Sequence, residues 1–382
     1  MKKLLALILA ALMLLTVVGC GGTTADGDKG TLKIGGIGPI TGGAAIYGQA
    51  VKNALEMAVA EVNAKGGIQF ELKFEDDAHD PEQSVGAYNT LMDWGMQVLL
   101  GTVTSAPCAA VAADAAADGL FVLTPSASSP DVIKDRTNVY QMCFSDPNQG
   151  SASATYIADN KLSEKVAVIY QNDDNYSTGI YDKFKAQAEA KGLNIVYTGT
   201  FTKDTATDFS TQLTAAKAAG ADMLFLPIYY TPVSIIMTQA ANMDYTVKYF
   251  GVDGMDGLLG VENFNTALAE GAYLLTPFSA DATDDKTVAF VNGYKEKYGE
   301  IPNQFAADAY DCVWALYEAC TKADIDPADI TNEDLCAKMV EQFTSMTFDG
   351  LTGQGMTWAA TGEVNKTPMA VIIKDGAYAS VQ

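Results

Sequence analysis

Histidine is almost missing from this chain: one, His79, in 382 residues. Serine-nucleophile hydrolysis needs a base beside the serine, and no Gly-x-Ser-x-Gly turn occurs either, so a serine hydrolase is set aside. Positive charge is scarce, with 24 Lys and Arg against 47 Asp and Glu and a net charge of −23. Such a surface offers nucleic acid no phosphate-neutralising face. The six cysteines contain no Cys-x-x-Cys and no zinc-type spacing. Cys312 and Cys320 stand two helical turns apart, about 12 Å along an axis, too far to bridge each other. One of them could pair with Cys336, but the odd number beyond Cys20 favours buried thiols over a disulfide framework. There is no Walker A sequence, and Gly35-Gly36-Ile37-Gly38 lacks the third glycine of a dinucleotide fingerprint before Pro39 interrupts it. The acidic run at 75–80 lacks the ligand spacing of a calcium loop and reads as a solvated loop, with His79 as a surface or turn residue. No catalytic residue, metal or cofactor is expected.

No apolar run is long enough to span a bilayer, which takes about 18–20 residues. The uncharged stretch at residues 4–18 follows Met1-Lys2-Lys3 and has the shape of an export signal. It ends in Val17-Val18-Gly19-Cys20, like a lipobox, so residues 1–19 are expected to be removed and Cys20 lipidated. Residues 20–30, nearly free of apolar side chains, would tether the protein to the outer face of the cell membrane.

The remaining residues are too many for one small domain and suggest two. Short strand-like runs rich in Val, Ile, Leu and Phe recur at 32–37, 70–75, 97–100, 120–123, 165–170, 194–197, 222–227, 248–251 and 272–275, as in buried parallel sheets. Helical periods lie between them. In 47–65 the positions Val51, Ala54, Leu55, Ala58, Val59 and Val62 form one apolar face, and Gly66-Gly67 stops the helix. The pattern of 32–75 repeats at 165–197. The fold class is therefore α/β, two doubly wound Rossmann-like units, with further helices at 302–323 and 332–344 and a strand at 370–373.

Ligands of doubly wound sheets bind beyond the C-terminal ends of the strands. Two neighbouring strands here end in small hydroxyl residues, Gly101-Thr102-Val103-Thr104-Ser105 and Thr124-Pro125-Ser126-Ala127-Ser128. Each loop is expected to open a helix, at 106–117 and from Asp131 onward. A helix start presents free N–H groups and partial positive charge to a carboxylate. A purely anionic ligand is opposed by the protein's own charge, so a zwitterion fits better. Asp253, at the end of the strand 248–251 in the second unit, would meet its ammonium, and Gly254 would leave it room. Tyr47, Tyr176, Tyr229, Tyr230 and Phe305 fall at strand ends or helix starts and can wall the cleft.

These segments resemble the type I periplasmic binding proteins of ABC importers, in the branched-chain amino-acid-binding branch. The resemblance runs over nearly the whole mature chain. It rests on Ile37-Gly38-Pro39-Ile40-Thr41-Gly42 with Tyr47-Gly48, on Asn63-Ala64-Lys65-Gly66-Gly67-Ile68 and on Asp76-Asp77-Ala78-His79-Asp80-Pro81, together with 123–128 and Gly251-Val252-Asp253-Gly254. It implies that the hydroxyls of Ser105 and Ser128 hold the ligand carboxylate, while the Ser126 carbonyl and the Asp253 carboxylate take its ammonium. Tyr176 would close from the second lobe, with Tyr47, Tyr229 and Phe305 shaping the side-chain pocket; a one-residue shift would put Tyr230 in place of Tyr229. The chain departs from the family at Pro107, where a small hydroxyl residue is common, and at Asp253, where some relatives carry Glu. The adjacent tyrosines also make the pocket bulkier and more polar than an aliphatic side chain requires.

The resemblance further implies two discontinuous lobes joined by a multi-strand hinge: 31–145 with 278–350, and 146–277 with 351–382. The crossings fall near 144–148, 277–280 and 350–353. The expected function is capture of an α-amino acid between the lobes and delivery to membrane permease subunits, by a monomer that is not an enzyme. The alternatives are a surface-tethered sensor that signals to a receptor, and a binder of an amide or aromatic acid.

Overall fold

The computed structural model of the protein describes residues 30–381; the expected signal peptide, the lipidated Cys20 and the tether up to residue 29 lie outside them. Two sheets organise the chain. The first takes β1 (Thr31–Gly38), β2 (Gln69–Asp76), β3 (Val98–Gly101), β4 (Phe121–Thr124) and β5 (Val139–Gln141) in the order 2-1-3-4-5, all parallel. Between them run α1 (Ala45–Lys65), α2 (Pro81–Trp94) and α3 (Ser105–Ala117). The chain then crosses and enters α4 (Asp146–Asp159).

The second sheet repeats the winding. It contains β6 (Val166–Gln171), β7 (Ile195–Phe201), β8 (Met223–Leu226), β9 (Lys248–Gly251) and β10 (Tyr273–Thr276) in the parallel order 7-6-8-9-10, with α5 (Asn175–Lys191), α6 (Ser210–Ala218) and α7 (Tyr230–Asn242) between strands. A return to the first lobe adds α8 (Asp285–Tyr298), α9 (Gln304–Lys322) and α10 (Asn332–Ser345); β11 (Met369–Lys374), antiparallel to β10, and β12 (Ala377–Ser380), antiparallel to β11, then close the second sheet. In both sheets the strand order reverses beside the first strand, and such switch points are where doubly wound folds place ligands.

Two segments differ from the sequence reading. The segment after Ser128 is a single 3₁₀ turn, Pro130–Val132, rather than a helix. Pro130 starts it, but the Arg136 guanidinium donates to the carbonyls of Asp131, Val132 and Lys134 and ends it at once. So short a turn accumulates little dipole. The acidic run, in turn, is not a solvated loop. Asp77 is fully buried, and Asp80 caps α2 by accepting from the N–H groups of Glu82 and Gln83.

The third crossing also comes later than 350–353. Trp358 Nε1 donates to Gln141 O at 2.8 Å and Gln141 N donates to Gly362 O at 2.9 Å, so this stretch stays against the first sheet. Lys366 marks the passage, and the chain joins the second sheet at Met369. Lys366 is the only Lys or Arg among the buried described residues. Its Nζ lies 2.7 Å from Asp308 Oδ1 and donates to Thr352 Oγ1 at 2.6 Å, and Thr352 in turn donates to Asp311.

Removing one partner of such a pair leaves a buried charge uncompensated and costs about 3–5 kcal/mol. Lys366→Met is therefore expected to lower unfolding free energy by about 3 kcal/mol in urea titrations at pH 8. At pH 5 the loss should shrink, because Asp308, pushed up to about 6 chiefly by burial, is then protonated.

Candidate functional site

The C-terminal ends of the two sheets face one another. All the expected ligand residues except Ser128 line one interlobe cavity: Tyr47, Ser105, Ser126, Tyr176, Tyr229, Asp253, Gly254 and Phe305, joined by Val103 and Thr104. Each comes from a strand end or the helix start that follows it. Tyr47 lies in the first turn of α1, Ser105 opens α3, Tyr176 is in the first turn of α5, Tyr229 precedes α7, and Phe305 is in the first turn of α9. Tyr229, not Tyr230, reaches the cavity. Its ring stacks on Tyr176 with centroids 4.7 Å apart and planes 6° apart. Tyr230 instead begins α7 and packs edge-on against Tyr47.

Asp253 is buried and strongly constrained. The Tyr176 hydroxyl donates to its Oδ1 at 2.6 Å, and Gly254 N donates to the same oxygen at 2.7 Å. Its own N–H donates to Gln149 Oε1 at 3.2 Å, and its carbonyl accepts from Gln304 Nε2 at 3.1 Å. No cation is among these partners. Burial raises the carboxyl to about 7, against the donors that lower it. A Cβ on residue 254 would collide with the Tyr176 hydroxyl, so the glycine lets Tyr176 reach Asp253.

Across the cavity the hydroxyls are already engaged. Ser105 Oγ accepts from Ser129 N at 3.2 Å, and Ser126 Oγ donates to Val103 O at 2.6 Å. Ser128 is fully buried below the lining, its hydroxyl close to the Asp146 carboxyl but outside hydrogen-bond geometry. The free space between the lining groups is about 10 Å³, room for about one water. The lobes thus stand closed, and any ligand larger than water requires them to part or the tyrosine stack to move.

Protein contacts hold that closure. The Tyr47 hydroxyl donates to Gly254 O, and Tyr230 N donates back to Tyr47 at 3.3 Å. Thr231 Oγ1 donates to Gly43 O at 2.7 Å, and Ile46 N donates to the Tyr230 hydroxyl at 3.1 Å. His79, read from sequence as a surface or turn residue, holds a left-handed turn conformation at φ 61° but is half-buried rather than a surface residue. Its ring also packs edge-on to Tyr229 at 5.3 Å and shares a 2.9 Å hydrogen bond with Thr104. Burial, with Lys203 opposite, lowers it to about 4 and keeps it neutral. Gln149 and Gln304, which steady Asp253, gave no signal in the sequence, since a lone glutamine inside a helix start has none.

The fold and the facing switch points define a two-lobed doubly wound protein whose interlobe cavity draws its lining from both lobes. Residues 31–377 match the family model described as periplasmic binding protein. A Leu/Ile/Val-binding protein, BraC3, of Rhizobium johnstonii is 34% identical over 304 residues, covering 76% of this chain and 79% of that one. The branched-chain amino acid transporter substrate binding protein LivJ of Streptococcus pneumoniae, solved in complex with isoleucine, superposes with a TM-score of 0.83 at 27% identity, over 92% of this chain and 98% of that one. A solute binding protein of R. palustris in complex with benzoate shares the fold, with a TM-score of 0.81 at 20% identity over 92% and 96% of the two chains. This chain belongs to the type I periplasmic binding proteins of the branched-chain amino-acid family, the non-enzymatic, extracytoplasmic solute-binding components of ABC transporters.

Buried acids give the site a pH signature. Burial raises Asp77, Asp174, Asp256 and Asp308 to about 6 and Asp253 to about 7, and pushes Asp146 well up. Between about pH 4 and 7 the folded state then holds more protons than the unfolded chain, so its stability falls as pH rises. His79, lowered to about 4, acts the other way, as one group against several. The ligand-free protein is expected to melt at a higher temperature at pH 5 than at pH 7.5, and Asp253→Asn should flatten that slope in thermal scans.

Proposed function

We propose that the chain captures an α-amino acid of the branched-chain or a related class between its lobes and passes it to a membrane permease. The observation that carries this is Asp253: a buried carboxyl with no cation partner, across a closed cavity from the two hydroxyl loops. Water-excluded, it would bind an ammonium by a charge-assisted hydrogen bond, about 1.5–3 kcal/mol. The ligand carboxylate would meet Ser105 and the backbone of the 103–105 and 126–128 loops, with Ser128 supporting that loop from below beside Asp146. Tyr47, Tyr229 and Phe305 would surround the side chain. The relatives named for leucine, isoleucine and valine, and the LivJ complex with isoleucine, support this ligand class.

Binding an ammonium forces Asp253 to ionise. Amino-acid affinity should therefore rise from pH 5.5 to pH 8 and level off above about 7, with a proton released on binding near neutrality. Calorimetry in buffers of different ionisation heat measures both. Asp253→Asn should weaken amino-acid binding about 30- to 150-fold, the loss of one charge-assisted bond of about 2–3 kcal/mol. Unchanged affinity in that variant would sink the reading.

One observation favours a second ligand class. A protonated Asp253 beside the stacked Tyr176 and Tyr229 suits an aromatic acid, and the R. palustris protein carries benzoate. That ligand needs the opposite pH course, tightest below pH 7 and weaker above, so one titration series separates the two.

We also propose that Cys20 becomes the lipidated N-terminus and anchors the protein outside the membrane. Mass spectrometry of detergent-extracted protein should then find a chain beginning at Cys20 with a diacylglyceryl-sized mass increment; a soluble chain beginning elsewhere rules the anchor out. A signalling receptor in place of the permease would use the same cleft, and reconstituted uptake with the candidate permease decides between the two.

A further inference from the structure

We infer that a second ligand site, for a small apolar molecule bearing one ammonium group, lies on the hinge side of the 253–256 turn. A cavity of about 490 Å³ opens there, large enough for a small organic ligand. It is distinct from the interlobe cavity, because the 253–256 turn is the wall between them. Both lobes line it: Ile46 and Val291 from α1 and α8, Leu259, Leu274 and Val371 from the second lobe, and Phe278 from the crossing after β10.

Its charge has one sign. Asp256, Asp281 and Glu300 line it and no lysine or arginine does. Asp281 is committed, accepting from Ser279 Oγ at 2.5 Å and from Ser380 N and Oγ at 3.0 and 2.7 Å. Glu300 stands exposed at the rim. Asp256 is different. It is 5% exposed, its Oδ2 accepts from Gln304 N at 2.9 Å, and its Oδ1 has no hydrogen-bond partner. The nearby Tyr378 hydroxyl accepts from Gly257 N at 3.1 Å. A buried carboxyl with polar donors on one side, one oxygen outside hydrogen-bond geometry and no cation partner is relieved by a donor cation. An alkyl- or arylammonium supplies that donor at one end and fills the chamber with the other.

The site does not depend on what the interlobe cleft binds. The probe is 2-phenylethylamine, titrated calorimetrically into the full mature protein, with 2-phenylethanol as the uncharged control. The amine is expected to bind at least ten-fold more tightly than the alcohol. Its affinity should fall at least ten-fold in Asp256→Asn and in Ala377→Trp, which fills the cavity from an exposed lining position, and should hold in Asp253→Asn. If Asp256→Asn does not fold, Ala377→Trp alone carries the comparison. Equal binding of amine and alcohol, no amine binding to millimolar concentration, or loss of amine binding in Asp253→Asn, which places the amine in the cleft, each overturns the second site.

Discussion

The turn at 253–256 is the constraint on which the two-lobed arrangement depends. It leaves β9 in the second lobe, yet its partners come from everywhere around it. Gly254 O is taken by Tyr47 of α1, Asp253 O and Asp256 Oδ2 by Gln304 of α9, and Asp253 Oδ1 by Tyr176 of α5. Gln304 grips both ends of the turn with its side-chain and backbone nitrogens. A change in lobe angle must break several of these bonds together or carry the turn with the first lobe. The largest apolar cluster follows the same course, running without a break from Leu32 and Val51 through Tyr47 and Phe305 to Met255 and Leu258.

How much of this was legible follows from what each feature needs. The strands are short, buried on both faces and rich in branched residues, so they stand out in the sequence; β1, β3, β4, β6, β8, β9 and β10 all fall within a residue or two of the expected runs. Because ligand residues in this winding sit at strand ends, Ser105, Tyr176 and Asp253 follow from the strands almost automatically. What failed depended on side-chain contacts that the strand pattern does not carry. The loop ending at Ser128 was expected to open a helix from Asp131 onward, but the turn there ends after three residues, with Arg136 on its carbonyls. His79 read as a surface or turn residue; it is in a turn, but its packing on Tyr229 leaves it half-buried and joins positions from opposite lobes. The resemblance put the last crossing near 350–353; Trp358, hydrogen bonded back to β5, holds the chain on the first sheet beyond that point.

The protein's acidity is not spread evenly over its surface. Asp146, Asp253, Asp256, Asp308 and Asp311 are all buried around the hinge, with Lys366 the only buried cation among the described residues. Burial of carboxyl groups favours their neutral forms, and each acid here finds a different remedy. Asp308 and Asp311 share Lys366 through Thr352. Asp253 has only hydroxyl and amide donors. Asp146 has no hydrogen-bond partner on either oxygen. The ion pair fixes where the chain crosses between lobes, while Asp253 is left for what arrives between them.

That division sets what a ligand can contribute. The lobes close on protein contacts alone: Tyr47 to Gly254, Thr231 to Gly43, Tyr176 to Asp253. A ligand shifts the balance between open and closed forms only by the difference in its affinity for them. On the proposed reading the hydroxyl loops of one lobe would bind the ligand carboxylate comparably in either form, and so would supply little of that difference. The ammonium interaction is otherwise, because Asp253 comes within reach of a ligand on the first lobe only on closure, and is then desolvated and unpaired by any cation. On that reading the differential free energy is concentrated in one carboxyl group, which burial holds toward its neutral form until a cation pairs with it.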